Sequence, residues 1–211
     1  MEIEAKAPKK EPISPESRSG KVEAIERAAF QLFHERGYGH VSMDEIARSA
    51  GVSKATIYSH FADKAELFAS LMRANCSMTW VRTELEGRPV EDYRAVLKEV
   101  AESYVAILSE KGPMTRMVIA EAPRFPEMAE IFFASGPMAS RGALCLYLER
   151  VCAAGLLSIP DCDQAASQFF ALLRDDIYLR LMLGLPIDDP AAKIRKSIDD
   201  AVDLFLRAAR A

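Results

Sequence analysis

The stretch from Ser42 to Phe61, SMDEIARSAGVSKATIYSHF, constrains the fold more than any other part of this chain. Ala47 allows two helices to cross closely, Gly51 suits the positive φ of a tight turn, and Ile57 can fill the core that the helices share. Each residue alone is weak evidence. Together they predict a helix-turn-helix, because an accidental helical corner does not require this combination of spacings.

Capping residues around this stretch indicate where helices begin. Ser42 and Asp63 are each followed three residues later by a glutamate, Glu45 and Glu66, which is the spacing of a capping box. Ser53 is a suitable N-cap without that partner. We therefore expect three short helices, each beginning immediately after one of these caps.

The rest of the chain shows helical periodicity without strand-like alternation, which predicts an all-α fold. Apolar residues recur at helical spacing from Val22 to Phe33, and Gly37 is placed to end that helix. The helix after Asp63 is expected to continue toward Glu84. The expected later segments are 92–109, ended by Gly112-Pro113, then 115–122, 125–157 with a kink at Gly136-Pro137, 164–183, and 191–209.

Composition and cysteine spacing place the chain among globular proteins without disulfides. It has 211 residues, of which 50% are hydrophobic and 27% charged, enough to bury a core. The four cysteines lack C-x-x-C spacing, and no apolar run has the length of a signal peptide or a membrane span. We expect reduced thiols in a cytoplasmic protein, with a disordered tail up to Gly20. The cysteines are Cys76, Cys145, Cys152 and Cys162.

The charge distribution suggests two functional parts. The formal net charge is −4. The segment 18–73 carries eight basic and seven acidic residues, whereas residues 75–211 carry sixteen basic and twenty acidic ones. The first part is therefore less repulsive to a polyanion such as DNA than the second part.

Four motifs make the region from Lys21 to Leu71 similar to the N-terminal domain of the TetR family of transcriptional regulators. They are AFxLFxxxGY at 29–38, SMDEIA at 42–47, AGVSKATIYSHF at 50–61, and DKAELF at 63–68. A later segment, EAPRFPEMA at 121–129, resembles the ligand domain of the AefR-like branch of that family.

The resemblance implies a homodimer of about nine helices per subunit, whose recognition helices enter successive major grooves of a palindromic operator. It divides the chain into a tail (1–20), a DNA-binding domain (21–66), and a ligand-binding and dimerisation domain (67–211), with segments 164–183 and 191–209 forming the dimer. The positions that match the family's DNA-contacting pattern are Ser42, Lys54, Ala55, Thr56, Tyr58, Ser59, His60 and Lys64.

The chemistry of these residues agrees with DNA binding. Tyr58, His60 and Lys64 can hold phosphate oxygens together with the amides of helix N-termini. Lys54 and Thr56 can reach base edges. Because a short helix offers few such residues, part of the specificity is expected to rest on DNA shape. The competing interpretation of His60 is a capped helix end.

An effector cavity is expected in the C-terminal part, where aromatic and methionine side chains suit an adaptable pocket. The competing interpretation is that most of them form plain core, and that Glu121, Arg124 and Arg174 pair with one another or across the dimer. The run Arg174-Asp175-Asp176 is expected within a continuous apolar helix. The candidate apolar lining residues are Trp80, Tyr104, Met114, Met117, Phe125, Phe132, Phe133, Met138, Phe169 and Phe170.

The sequence thus favours a DNA-binding regulator, in first place a repressor that a small hydrophobic effector releases. The alternative is a regulator without a small-molecule effector, constitutive or protein-responsive, with activation as a further option. A helical-bundle enzyme is disfavoured, because the chain has no Glu-x-x-His pair, no Gly-rich phosphate loop and no histidine after His60. No cofactor, metal or membrane partner is predicted.

Overall fold

The computed structural model describes residues 15–75 and 85–209, and within them it has ten α-helices, one π-helical segment and no strand. The predicted all-α fold is confirmed. No helix in these two stretches is both long and apolar enough to span a membrane. The helices are α1 (Pro15–Arg36), α2 (Met43–Ser49), α3 (Lys54–His60), α4 (Lys64–Asn75), α5 (Tyr93–Glu121), α6 (Pro126–Phe133), the π segment (Ala134–Met138), α7 (Ala139–Ala153), α8 (Cys162–Leu172), α9 (Asp176–Leu183) and α10 (Pro190–Ala208).

The predicted caps and turn of the helix-turn-helix are present. The Ser42 hydroxyl accepts from the Glu45 amide, and the Glu45 carboxylate accepts from the Ser42 amide, so the capping box of α2 is complete. The Ser53 hydroxyl accepts from the Thr56 amide and caps α3. Gly51 has φ +67° in the turn between the two helices. These local hydrogen bonds fix where both helices begin.

Two apolar cores hold the helices together. The N-terminal core of α1–α4 also includes Met114, Val118 and Met128 from α5 and α6, whereas a second core joins α5, α7, α8 and α10. Residues 15–20, assigned to the tail by the sequence, belong to α1, and the domain boundary proposed at 66/67 falls inside α4. The N-terminal helices are therefore packed onto the C-terminal ones through a shared core.

The prediction that Gly112-Pro113 ends a helix was wrong, because α5 runs through Pro113 without a break. The ring removes one amide donor, but both halves of the helix are anchored in apolar cores. Gly112 is buried against α9, where a Cβ would lie 3.3 Å from the Met182 methyl carbon. Tertiary packing thus outweighs the local helix-breaking tendency.

The kink expected at Gly136-Pro137 is the π-helical segment that joins α6 to α7. The buried Ser140 hydroxyl donates to the Gly136 carbonyl oxygen at 2.9 Å. One chain segment therefore continues from α6 to α7 with an altered local winding.

The prediction of one continuous helix over 164–183 was also wrong. The chain breaks after Leu172, and Asp175 caps α9 by accepting from the amides of Ile177 and Tyr178 at 2.9 and 3.2 Å. The charged run is consequently a helix boundary at the surface. Aspartate favours this position because its carboxylate satisfies amides that lack a helical partner.

Some predictions fall on residues that the structure leaves undescribed. They are the disordered tail over residues 1–14, the extension of the fourth helix toward Glu84, the thiol of Cys76, and the cavity role of Trp80. Cys145, Cys152 and Cys162 lie in the described part and are free thiols.

Candidate functional site

The exposed side of α3 carries four of the residues predicted to contact DNA. Lys54, Ala55, Tyr58 and Ser59 are exposed, with Tyr58 51% exposed, whereas Ile57 is fully buried on the opposite side. Lys54 forms an ion pair with an aspartate of α2. The helix therefore presents an aromatic hydroxyl and an ammonium group to solvent while its apolar side fixes it to the core.

The hydroxyl groups of Ser42, Thr56 and Ser59 are engaged locally. The Ser42 hydroxyl donates to Glu45 at 2.7 Å, the Thr56 hydroxyl lies 2.9 Å from that of Ser53, and the Ser59 hydroxyl donates to the Thr56 carbonyl oxygen at 2.8 Å. These hydrogen bonds shape the two helices. To contact a base or a phosphate, each hydroxyl group would have to share its local hydrogen bond or give it up.

His60 and Lys64 lie deeper than their predicted phosphate role suggests. The His60 Nε2 atom is covered and has no hydrogen-bond partner among the residues that the structure describes. The Lys64 ammonium donates to the carbonyl oxygens of Tyr38 and Val41 at 2.7 and 2.9 Å. Burial lowers the pKa of Lys64, although nearby carboxylates act in the opposite direction. Lys64 thus fastens α4 to the turn between α1 and α2.

The turn between α1 and α2 also packs closely against the corner between α5 and α6. A Cβ on Gly39 would lie 2.8 Å from the Phe125 ring and 3.1 Å from the Glu121 carboxylate. The rings of Tyr38 and Phe125 meet edge to face with centroids 5.2 Å apart. Burial is the main cause that raises the pKa of Tyr38 to about 12. This corner is a closely packed joint between the two parts of the chain.

A largely apolar cavity lies where the two parts meet. It is partly open, and its empty space, with the adjoining open solvent included, is about 760 Å³. Its wall takes residues from α1 and α4 as well as from α5, α6, the π segment, α7 and α9. The lining residues are Phe30, Met72, Tyr104, Ile107, Leu108, Met114, Thr115, Phe132, Gly136, Pro137, Ser140, Arg174 and Tyr178.

A polar pair stands in this apolar lining. The Arg174 Nε donates to the Tyr104 hydroxyl at 2.9 Å. The pKa of Tyr104 is raised, because the effect of burial is larger than the opposing effect of the hydrogen bond from Arg174. Phe170 packs against the Tyr104 ring with centroids 4.9 Å apart. The pair can orient a polar atom of a bound molecule.

The candidate cavity residues divide between the lining and other places. Tyr104, Met114, Phe132 and Arg174 line the cavity. Phe170 lies behind Tyr104, and Phe133 is 56% exposed. Three other candidates do not line the cavity but lie on the side of the N-terminal core: Met117, Glu121 and Phe125.

Phe30 was not among the predicted lining residues, because α1 was assigned to a separate DNA-binding domain. Met72 was assigned to the ligand-binding domain but was not among the predicted lining residues either. Phe30 is only partly buried beside the N-terminal core, and Met72 is buried within it. A large aromatic residue just off the main apolar stripe of α1 was the available signal for a second contact.

Family models cover most of the chain. Residues 25–71 match the model of bacterial regulatory proteins of the tetR family, and residues 95–210 match the C-terminal domain of the AefR-like transcriptional repressor. The second match alone spans more than half of the 211 residues. Both models agree with the resemblance seen in the sequence motifs.

Curated relatives match over part of their length. The HTH-type transcriptional activator FasR of Mycolicibacterium smegmatis is 33% identical over 93 residues, which are 43% of this chain and 42% of FasR. The HTH-type transcriptional regulator AcrR of Shigella flexneri is 37% identical over 83 residues, 36% of this chain and 38% of AcrR. The matched region thus spans about two fifths of each relative.

Solved structures match over nearly the whole chain. The Flavonoid-responsive Regulator FrrA has 36% identity and a TM-score of 0.75, and the match covers 91% of this chain and 98% of FrrA. A TetR family transcriptional regulator from Pseudomonas syringae pv. tomato str. DC3000 has 26% identity and a TM-score of 0.69, with 88% and 94% covered. This chain therefore belongs to the TetR family of DNA-binding transcriptional regulators, and it is not an enzyme.

Proposed function

We propose that this regulator is a cytoplasmic homodimeric repressor that a small hydrophobic effector releases from a palindromic operator. The observation that carries the proposal is the shared wall of the cavity. Phe30 of α1 and Met72 of α4 line it together with residues of the C-terminal helices. A molecule in this cavity would touch the helices that hold the helix-turn-helix in place.

The mechanism follows from differential binding. An effector that fits better when α4 is tilted shifts the population toward that arrangement and lowers operator affinity by the same coupling free energy. Lys64 begins α4 at the turn before α2, and Met72 faces the cavity two helical turns later. A tilt of α4 would change the spacing of the two recognition helices in the dimer.

The proposed DNA-contacting surface is the exposed side of α3 together with the N-terminal ends of α2 and α4. Exposure supports direct roles for Lys54, Ala55, Tyr58 and Ser59. The other proposed contacts come from Ser42, Thr56, His60 and Lys64. The Ser42, Thr56 and Lys64 groups are hydrogen-bonded within the protein and the His60 Nε2 atom is covered, so each would have to turn toward DNA.

The proposed dimer interface comprises the segments 164–183 and 191–209. Exposed leucines on both segments support it: Leu179 and Leu183 lie on α9, and Leu204 lies on α10. Large apolar side chains that stay exposed in one subunit are commonly covered by a partner. A pair of such helices from each subunit would form a four-helix contact.

The name of FrrA supports an effector with an apolar, ring-containing body for this chain as well. The aromatic wall residues of the cavity suit such a molecule. A second function, activation of transcription, is favoured by the similarity to FasR, which is named as an activator.

The test combines operator selection with ligand release. Binding to a pool of random DNA duplexes would yield the operator, and a thermal-shift screen would then identify compounds that stabilise the protein. We expect stabilising compounds to weaken operator affinity in proportion to their own binding. Compounds that stabilise the protein without changing operator affinity would overturn the effector-release proposal.

A cavity-filling variant tests whether the effector binds in this cavity. Ile107→Trp replaces an alkyl side chain of the cavity wall with a larger indole ring, whereas Ile119→Trp makes the same change at a site on α5 that is 62% exposed. The first variant should lose compound-induced stabilisation and release, and the second should retain both. Equal behaviour of the two variants would place the effector elsewhere.

A further inference from the structure

Arg174 is an exposed residue that brings a positive charge to the lining of a largely apolar cavity. Its Nε donates to the Tyr104 hydroxyl, and among the described residues no carboxylate lies within salt-bridge distance of its guanidinium. The adjacent acidic residues are used elsewhere, because Asp175 caps α9 and Asp176 pairs with Arg180. The cavity lining therefore includes an exposed cation that has no anionic partner in the described part of the chain.

The geometry of this pair suits an anionic oxygen. A guanidinium has five N–H donors in a planar fork, so donors remain after the Nε bond is made. The Tyr104 hydroxyl accepts from Arg174 and keeps its own proton to donate. Two donors on neighbouring side chains can thus converge on one acceptor.

The other residues of the cavity lining restrict the chemistry of the part of the ligand that does not contact Arg174 and Tyr104. Phe30, Phe132 and Tyr178 present aromatic rings to the cavity, and Pro137 adds an apolar surface. Such a wall favours a flat apolar body and disfavours further charges, which would lose their hydration. One acidic group on a ring system matches both the wall and the polar pair.

We propose that the effector is an aromatic weak acid whose single carboxylate or phenolate oxygen binds Arg174 and Tyr104. This inference rests on the proposed function and narrows its chemical class. It distinguishes acids from neutral hydrophobic molecules of the same shape. It also excludes hydrophobic cations, which the guanidinium would repel.

The test compares three probes that share one ring system: 2-naphthoate, 2-naphthylmethanol and 2-naphthylmethylammonium. Calorimetry on the full chain at neutral pH gives their dissociation constants. We expect 2-naphthoate to bind at least about tenfold tighter than the alcohol, since charged hydrogen bonds carry the difference, and the ammonium to bind weakest. Equal affinities for acid and alcohol, or no binding of the acid, would overturn the inference.

Variants test whether the preference for the acid over the alcohol comes from Arg174 and Tyr104. Arg174→Met should bring the acid to the affinity of the alcohol, and Tyr104→Phe should reduce the preference while the guanidinium remains. Arg88→Met removes the same charge from an arginine that is bound to Glu99 and lies outside the cavity and the proposed dimer interface, and it should leave the preference unchanged. A preference that survives Arg174→Met would overturn the assignment.

The two proposals fail in different measurements. Loss of acid selectivity with intact release of operator by a neutral compound would contradict the ligand class and leave the proposed function standing. Selective acid binding that leaves operator affinity unchanged would contradict effector release and leave the ligand class standing.

Discussion

The Lys64 ammonium lies 4.3 Å from the centroid of the Tyr38 ring and donates to the Tyr38 carbonyl oxygen at 2.7 Å. The same ammonium donates to Val41, so one side chain at the start of α4 holds both ends of the turn between α1 and α2. Charged hydrogen bonds and cation–π contact together stabilise this arrangement. The joint therefore links the position of α2 to the position of α4.

Replacement of Lys64 should reveal this structural role. We expect Lys64→Met to lower the free energy of unfolding by about 1–3 kcal/mol, because two carbonyl oxygens lose a charged donor. Urea denaturation measures the change. Lys98→Met, which removes a partly exposed lysine paired with Asp199, should cost less than about 1 kcal/mol.

The same position tests the proposed phosphate contact. If Lys64 also binds a phosphate, Lys64→Ala should reduce the slope of log operator affinity against log salt by about one. An unchanged slope with lowered stability would assign Lys64 to the joint alone.

Tyr58 and Lys54 should affect operator binding differently. Tyr58→Ala is expected to weaken binding almost uniformly across operator sequences, because a phosphate contact carries no sequence information. Lys54→Ala should relax the preference at one operator position by about 1–3 kcal/mol. Binding to a panel of operator variants distinguishes the two patterns, and unaltered binding by both variants would reject α3 as the recognition helix.

Gly39 tests the close approach between the α1–α2 turn and the α5–α6 corner. Gly39→Ala places a Cβ against Phe125 and Glu121, so we expect a loss of about 1–3 kcal/mol in the free energy of unfolding. Gly142→Ala is the matched control, since no atom lies within 4 Å of its added Cβ and the site is helical. The control should gain up to about 1 kcal/mol.

Asp175 and Asp176 should contribute different amounts to the free energy of unfolding, although they are adjacent in the chain. Asp175→Ala removes the cap of α9 and the acceptor of the Ser197 hydroxyl, and we expect a loss of about 1–2 kcal/mol. Asp176→Ala breaks an exposed pair with Arg180 and should cost less than about 0.5 kcal/mol. Equal losses in urea denaturation would contradict the capping role.

Glu45 should contribute to the acid sensitivity of the N-terminal helices. Hydrogen bonds from Ser42 are the main cause that lowers the pKa of Glu45 below 4.5. The bonds favour the carboxylate, so their stabilisation is complete above the unfolded pKa and is lost as pH falls through the lower folded pKa. NMR titration should show the Glu45 pKa rising in Ser42→Ala, whereas an unchanged pKa would reject this cause.

Local features of the helix-turn-helix were determined by the sequence itself. Ser42, Ser53 and Gly51 act on amides or dihedral angles within a few residues, so their spacing was enough to predict where α2 and α3 begin and where the chain turns. The family motifs worked for the same reason, because they record a short segment with its own hydrogen bonds and its own buried face.

Other features depended on contacts between distant segments, which spacing does not encode. α5 continues through Pro113 because two cores hold its halves. Lys64 turns inward because Tyr38 and Val41, more than twenty residues earlier, present their carbonyl oxygens to it. Local rules therefore determined the helices of the motif, and tertiary packing decided the joint and the cavity, where the free energy comes from burial and hydrogen bonds between parts far apart in the chain.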